Sequence, residues 1–269
     1  MHKLSFIGLV VGMLCLGSAL FGQESEHIYQ GLPSSQTDLI YYRKAYVIEW
    51  DPVHKVPRWV AYHVTPDYIM TPSRKGHFAQ FRGDPDIDNE ASEKDYEGQF
   101  QTWRNYAKGH LAPYYIAGGD RDHDGLTAAD GDEDEYQTIY EINYMSNIAP
   151  QDQYDFNGAG GLWYQLETYV REDLIRTKGY EVWVYAGTIF GPSSYDEYKG
   201  ISVPPLFYKI ILYKNEEGIH IEPYLLPHQR DSRGELSDYL VNVDMIEALT
   251  GLDFYPEWDK EEQERFVEE

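Results

Sequence analysis

Cysteine is nearly absent from this sequence. The single cysteine among 269 residues is Cys15, and it lies inside a long apolar run from Leu4 to Phe21. The rest of the chain can therefore form no disulfide, and it offers neither a thiol nucleophile nor a thiolate metal site. Any catalysis or metal binding there must use oxygen and nitrogen ligands.

Basic charge is also scarce. The chain has 22 Lys and Arg residues against 46 Asp and Glu residues, which gives a formal net charge of −24. Such a field repels polyanions and argues against a passive nucleic-acid binder. The acidic residues are concentrated in 84–97, in 120–135 and in the C-terminal tail, where solvated surface is the simplest interpretation.

The apolar run indicates the compartment. It follows Lys3, ends in small residues such as Ala19 and Gly22, and has the layout of a cleavable signal peptide. A membrane anchor of this length is the alternative, but acidic rather than basic residues follow the run. A lipid anchor at Cys15 lacks the small residue expected just before it. We predict a signal peptide over 1–22, a secreted or periplasmic protein, and no stable membrane association after cleavage.

Residues 23–269 predict one domain, because neither a repeat nor a linker divides them. Strand-like alternation covers Lys44–Trp50 and Arg58–Thr65, which predicts an antiparallel hairpin buried on both faces. Residues 66–107 have no sustained period and predict a long irregular excursion.

Helix and strand signals then alternate in the second half. The spacing predicts a helix over Leu162–Lys178 and a shorter one over Val243–Thr250, each followed by glycine. The three strands expected between them are Glu181–Phe190, Leu206–Lys214 and Ile219–Leu226. These elements predict an α+β fold, a central antiparallel sheet flanked by helices.

Two segments carry polar residues in unusual settings. The first is Lys108-Gly109-His110-Leu111-Ala112-Pro113, and the second is Ser146-Asn147-Ile148-Ala149-Pro150-Gln151, which leads through Asn157 into the predicted helix. Taken alone, neither is decisive. A lone histidine is more often a hydrogen-bonded structural residue than a base, and asparagine before proline is ordinary turn chemistry.

Their order and spacing are more specific. Together with Trp163-Tyr164-Gln165-Leu166-Glu167 and Arg171, the two segments resemble the DNA/RNA non-specific endonuclease family, the endonuclease G-like ββα-metal nucleases. Further matches at Pro57–Tyr62, Val203–Lys209 and Leu249–Leu252 extend the resemblance over about 40–256. It implies a domain core over that range, a ββα-metal motif and an endonuclease that hydrolyses DNA and RNA without base selection and leaves 5′-phosphates.

The resemblance also implies the site. His110 is expected to be the general base, and Asn147 the direct ligand of Mg²⁺ or Mn²⁺. Glu167 would hold the ion through its waters, while Arg74 and Arg171 would contact phosphate. The structural alternative for Glu167 and Arg171 is an exposed i,i+4 ion pair. The nuclease hypothesis requires that His110 and Asn147 both reach one hydrated ion.

One departure from the family pattern lies at its centre. The family reads Asp-Arg-Gly-His where this chain has Ala107-Lys108-Gly109-His110, so an aspartate is missing and Lys108 replaces an arginine. Lys108 keeps the charge but not the bidentate geometry. Another carboxylate could replace the aspartate, or the enzyme could be slow or altered in substrate range. The rival hypothesis is a secreted Ca²⁺-binding homologue that interacts with nucleic acid without turnover.

A second departure follows within an acidic insertion at about 118–136. Asp120, Asp122 and Asp124 stand at positions 1, 3 and 5 of a loop with Gly125 at position 6, as in calcium-binding loops, but position 12 is glycine. A structural Ca²⁺ site that also uses Asp130 and a solvated acidic loop are both consistent with this pattern.

Overall fold

The computed structural model describes residues 25–34, 38–96, 106–191 and 197–264. The predicted signal peptide over 1–22 lies outside these residues. Among the described residues, none of the helices has the length and apolar character needed to cross a membrane.

The strands of the described residues form one large sheet and two smaller antiparallel sheets of two strands each. They are β1 (Ile40–Tyr42), β2 (Val47–Asp51), β3 (Val56–Val64), β4 (Tyr106–His110), β5 (Ile148–Asp152), β6 (Glu181–Ile189), β7 (Glu197–Tyr198), β8 (Ile201–Ser202), β9 (Leu206–Asn215) and β10 (Gly218–Pro227). The large sheet is antiparallel throughout, in the order β1-β2-β3-β6-β9-β10, while β4 pairs with β5 and β7 with β8.

The large sheet is covered on both faces. Along β3, Val60, Tyr62 and Val64 face one apolar cluster, whereas Trp59 and Ala61 face the other. Side chains of a strand alternate between the faces, so both sets of this strand are removed from water. The predicted hairpin and its two-sided burial are confirmed, as is the α+β class with a central antiparallel sheet.

Helices and short 3-10 turns connect the strands. The α-helices are α1 (Glu133–Ile142), α2 (Leu162–Thr168), α3 (Val243–Thr250) and α4 (Lys260–Glu264). The 3-10 turns span Asp67–Ile69, Gly76–Ala79, Glu93–Tyr96, Tyr114–Ile116, Ala128–Asp130, Met145–Asn147 and Leu236–Tyr239. Helix α3 has the predicted bounds and ends at Gly251, whose φ of 68° suits glycine.

Two helical regions differ from the prediction. The helix expected over Leu162–Lys178 is α-helical only to Thr168 and continues as a π-helix over Tyr169–Thr177. Helix α1 was not predicted, and the proposed insertion over 118–136 runs into its first turn. The acids Glu133, Asp134 and Glu135 that suggested solvated surface lie at its N-terminus, where Asp132 accepts from the backbone of the first turn.

The predicted ββα unit is present. Strands β4 and β5 form an antiparallel hairpin in which His110 pairs with Ile148, and a loop after β5 leads into α2. The irregular excursion before β4 is attached to this unit, because the Arg82 N–H donates to the Asn143 carbonyl and the Arg82 carbonyl accepts from the Met145 N–H. The attachment brings Phe81 to 5.4 Å from the His110 ring.

Gly109 is required by close packing in this hairpin. A Cβ atom at residue 109 would lie 2.2 Å from the Gln151 side chain, which is fully buried. We expect Gly109→Ala to lower the free energy of unfolding by about 2 kcal/mol, because Gln151 must move within a packed interior. Urea denaturation tests this, with Gly191→Ala as the control, since a Cβ there meets nothing within 4 Å. Equal stability of the two variants would contradict the packing argument.

Candidate active site

His110 occupies the last position of β4 and is 7% exposed. Its Nε2 lies 3.2 Å from the Oδ1 atom of Asn143, the residue at the C-terminal end of α1. Asn143 is itself fixed, because its Nδ2 donates to the carbonyl oxygens of Phe78 and Ile139. Helix α1 and the irregular excursion therefore hold one side of the imidazole together.

This network determines the tautomer of His110. Both Asn143 Nδ2 hydrogens are directed at carbonyls, so its Oδ1 acts as the acceptor toward the ring. His110 Nε2 must then carry the hydrogen, and Nδ1 keeps its lone pair. In the described part of the chain Nδ1 has no hydrogen-bond partner. The arrangement suits a general base that works through Nδ1.

The surroundings also keep the ring neutral. Burial lowers the pKa of His110 well below its usual value, and the positive charges of Arg74 and Lys108 lower it further, while the bond to Asn143 opposes them. No carboxylate of the described residues is among the groups that shift it. Within the described residues, the hydrogen-bond partner of the His110 ring is therefore a neutral amide, Asn143, and not a carboxylate.

Asn147 has a different role from the one predicted. Its side chain is fully buried; Oδ1 accepts from the Ala112 N–H at 2.9 Å, and Nδ2 donates to the carbonyls of Ala112 and Ile142. A carboxamide committed to three backbone groups and shielded from solvent cannot share a hydrated ion with His110. The prediction that Asn147 binds the metal directly is therefore wrong, and the requirement that His110 and Asn147 reach one hydrated ion is not met; a metal site beside His110 must use another oxygen donor. The residue holds the turn after β4 against the end of α1.

Asn157 has the free oxygen that Asn147 lacks. It lies in the loop between β5 and α2, where its Nδ2 donates to Gln151 Oε1 at 2.7 Å. Its Oδ1 has no hydrogen-bond partner among the described residues, and its side chain is partly exposed. Gln151 packs against Gly109. Asn157 is consequently tied to the strand that ends at His110.

Glu167 lies one turn further along. The Phe156 carbonyl accepts from the Trp163 N–H, which binds the loop of Asn157 to the first turn of α2, and Trp163 Nε1 donates to Glu167 Oε1 at 2.8 Å. Burial raises the pKa of Glu167, and the positive charge of Lys209 opposes this rise most strongly. An amide oxygen and a carboxylate are hard donors that fit Mg²⁺ or Mn²⁺.

Lys209 is a buried cation that lies next to Trp163 and acts electrostatically on Glu167. It is fully buried in β9, its Nζ lies 3.9 Å from the centroid of the Trp163 ring, and that atom has no hydrogen-bond partner among the described residues. Burial lowers the pKa of Lys209 to about 8, while Glu167 raises it. The charge of Lys209 therefore favours the ionised form of Glu167.

A positively charged cleft adjoins His110. It has a volume of about 520 Å³, and its lining includes Arg74, Phe81, Lys108 and Gln153. The Phe81 ring lies between the two cations, 5.0 Å from the Arg74 guanidinium carbon and 4.3 Å from Lys108 Nζ. Lys108 also forms an ion pair of 2.5 Å with Glu93. The cleft concentrates positive charge in a strongly acidic chain.

Arg171 lies at the start of the π-helical turns. It does not form the i,i+4 ion pair with Glu167; its Nε instead donates to Glu172 at 2.7 Å, and its guanidinium lies over Tyr115 at 5.3 Å. Burial lowers the pKa of Arg171, but the hydrogen bond to Glu172 together with electrostatic interactions with Glu172, Tyr115 and Glu167 raises it overall. It remains charged and one quarter exposed.

The acidic loop brings three of its four predicted residues together. One carboxylate oxygen each from Asp120, Asp122 and Asp124 lies within 4.8 Å of the others. Asp130 is not part of this group. Its Oδ2 accepts from the N–H and the hydroxyl of Thr127, which caps a 3-10 turn. The prediction that Asp130 joins the calcium loop is therefore wrong.

The chain is similar to known proteins over most of its length. The model of the family described as DNA/RNA non-specific endonuclease matches residues 23–261. The chain belongs to the DNA/RNA non-specific endonuclease family. The family resemblance inferred from the sequence motifs is confirmed.

The relatives vary in how much of their length is matched. The mitochondrial nuclease EXOG of Danio rerio is 28% identical over 86% of this chain, which spans 65% of that relative, and human EXOG is 27% identical with 60% spanned. A nuclease of Serratia marcescens is 26% identical over 89% of this chain and 87% of the relative. A solved EndoG/EndoGI complex contains a chain with a TM-score of 0.71 and 24% identity, covering 90% of this chain and 96% of that one.

Replacing the two asparagines should separate structure from function. We expect Asn147→Ala to lower the free energy of unfolding by about 3 kcal/mol, because three buried backbone groups lose their partners. Asn157→Ala should change stability by less than about 1 kcal/mol but lower metal-dependent activity by about 100-fold or more. Thermal unfolding and metal titrations measured on both variants provide the comparison. The reverse pattern would restore Asn147 as the ligand.

The depressed pKa of His110 has a kinetic consequence. Since the neutral ring persists below pH 6.5, the acid limb of kcat/KM should lie below that value. Lys108→Met should move the limb to higher pH, because removing a positive charge makes protonation of the ring easier. Lys75→Met, at an exposed lysine, is the matched control. A limb that stays fixed in Lys108→Met would exclude this electrostatic coupling.

Proposed function

We propose that this chain hydrolyses phosphodiester bonds of DNA and RNA without selecting base sequence, with His110 as the general base. The observation that carries the proposal is the hydrogen bond from His110 Nε2 to Asn143, which leaves Nδ1 free to take a proton. The ring is neutral, adjoins a cationic cleft and belongs to the ββα unit of the nuclease family.

Each step follows from the residues at the cleft. Arg74 and Lys108 attract the phosphate backbone, and Arg171 offers a third cation; contacts of this kind carry no base information, which accounts for cleavage without sequence selection. His110 Nδ1 accepts the proton of a water as that water attacks phosphorus in line with the leaving 3′ oxygen.

Asn157 and Glu167 are the residues that would hold a divalent ion. A bound Mg²⁺ or Mn²⁺ would supply positive charge that stabilises the phosphate and the leaving oxygen. The charge of Lys209 favours the ionised form of Glu167, and the hydrogen bond from Trp163 Nε1 orients the carboxylate. Gln151 orients the Asn157 carboxamide, because its Oε1 accepts from Asn157 Nδ2. Asn157 Oδ1 is left without a hydrogen-bond partner among the described residues.

Export belongs to the same proposal. Residues 1–22 have the composition of a signal peptide, and a secreted or periplasmic nuclease would meet polymeric nucleic acid outside the cytoplasm. EXOG relatives carry a mitochondrial name, so the location of this chain requires its own test. N-terminal sequencing of the mature protein should place cleavage near Gly22.

The central test is loss of cleavage in His110→Ala. We expect a fall of about 10² to 10⁴-fold in the cleavage of supercoiled plasmid and of RNA, because a positioned base contributes that much. Added imidazole should restore part of the rate, which a purely structural defect would not allow. His220→Ala is the matched control, because this histidine lies near the start of β10 and is bonded to Asn215 at the end of β9.

The same assays test the dependence of cleavage on a divalent ion and the rival hypothesis of a non-catalytic nucleic-acid-binding homologue. Wild type should cut with Mg²⁺ or Mn²⁺ and be inactive in chelator. If wild type binds nucleic acid but cuts under none of these conditions, the chain is a non-catalytic nucleic-acid-binding homologue and the proposal fails.

A further inference from the structure

The loop from Asp120 to Gly125 precedes α1 in the chain, and its residues do not line the cleft beside His110. Asp120, Asp122 and Asp124 place three carboxylate oxygens within 4.8 Å of one another. Each of these residues uses one oxygen to accept a backbone N–H of the loop, from Gly125, Asp124 and Leu126 respectively, and keeps the other oxygen available.

An independent observation comes from helix α1. Glu135 is only 2% exposed, and its Oε1 accepts from the backbone N–H of Arg121, which stands between two members of the cluster. Its Oε2 is buried without a hydrogen-bond partner among the described residues. Asp120, 9% exposed, has an Oδ1 atom in the same condition. Buried carboxylate oxygens without partners are unfavourable unless a cation binds them.

Arg121, the cation within the loop, does not supply hydrogen bonds to these carboxylate oxygens through its guanidinium. The guanidinium of Arg121 donates to Glu26 at 3.1 Å and to the Ile116 carbonyl at 2.8 Å, and it forms no hydrogen bond with Glu135 or with the aspartates. Burial raises the pKa of Glu135; the backbone N–H and the positive charge of Arg121 oppose the rise, and the negative charges of Asp122 and Asp132 add to it. The three clustered aspartates and Glu135, which accepts the backbone N–H of Arg121 beside them, thus have Arg121 nearby, a cation whose guanidinium forms no hydrogen bond with any of them.

The spacing indicates which ion would fit. Ca²⁺ takes six to eight oxygen ligands, and its helix-flanked loops place acids at positions 1, 3 and 5, glycine at 6 and a bidentate glutamate near the end. Gly125 has a φ of 86°, as the turn at position 6 requires. The capped turn over Ala128–Asp130 occupies the usual end of the loop, and Glu135 follows it on α1.

We propose that Asp120, Asp122, Asp124 and Glu135 bind one Ca²⁺ ion, which joins the acidic loop to the first turn of α1. The far end of the same helix carries Asn143, the partner of His110. The ion would therefore stabilise the element that orients the base, without contacting substrate.

Calorimetric titration of the purified protein with CaCl₂ tests the proposal. An excess of Mg²⁺ occupies the catalytic site, and Mg²⁺ competes poorly for a loop with many oxygen ligands. We expect one Ca²⁺ per chain and, at about 100 times Kd, a rise in Tm of about 5 °C or more. Both effects should disappear in Asp122→Ala/Asp124→Ala, whose altered side chains are exposed and whose fold is checked by circular dichroism.

Two further variants make the assignment specific. Glu135→Gln keeps the shape of the side chain and should weaken Ca²⁺ binding at least about tenfold, because a charged bidentate ligand is lost. Glu216→Ala/Glu217→Ala removes the same charge as the double aspartate variant from the exposed β9–β10 turn and should bind like wild type. The proposal is overturned if wild type does not bind Ca²⁺, if the aspartate variant binds it equally, or if binding is lost only in Asn157→Ala.

Discussion

The hydrogen bond between His110 and Asn143 is the contact on which the candidate site depends. It selects the ring nitrogen that carries hydrogen and so selects the one that is free to accept a proton. Asn143 can make this choice only because Phe78 and Ile139 accept both of its amide hydrogens. The irregular excursion and α1 therefore act as supports for one imidazole, and Asn147 locks the same helix end to the turn after β4.

The charge of the cleft beside His110 is opposite in sign to the net charge of the chain. The net charge of −24 would repel a polyanion, but the groups that face the cleft beside His110 include Arg74 and Lys108. These two cations help to hold the pKa of His110 low, and in the proposed function they also attract phosphate. Substrate binding and the strength of the base would be coupled for this reason. The chain has alanine at position 107, where the family pattern has an aspartate, and the hydrogen-bond partner of His110 is the neutral amide of Asn143.

Periodicity was sufficient to predict most of the fold. Strands β2, β3, β6, β9 and β10 and helix α3 were expected within a few residues, because burial on two faces or one stripe leaves a clear pattern. Helix α1 was missed because its acids resemble solvated surface, although Asp132 and the three acids after it are a helix-start signal. The switch from α2 to a π-helix left no pattern that separates it from an α-helix.

The site was harder to predict than the fold. Asn143, Asn147 and Asn157 lie within fifteen residues, and linear order does not reveal which carboxamide is buried by a 3-10 turn and which ends a loop. The burial of Lys209 could not be predicted from linear order either, because it depends on how β9 pairs within the large sheet.

The most direct test of the account is ¹⁵N NMR of the His110 imidazole across a pH titration. The account predicts a neutral ring with hydrogen on Nε2 and none on Nδ1, unchanged to below pH 6.5. A ring that carries hydrogen on Nδ1, or that is already protonated at neutral pH, would contradict it.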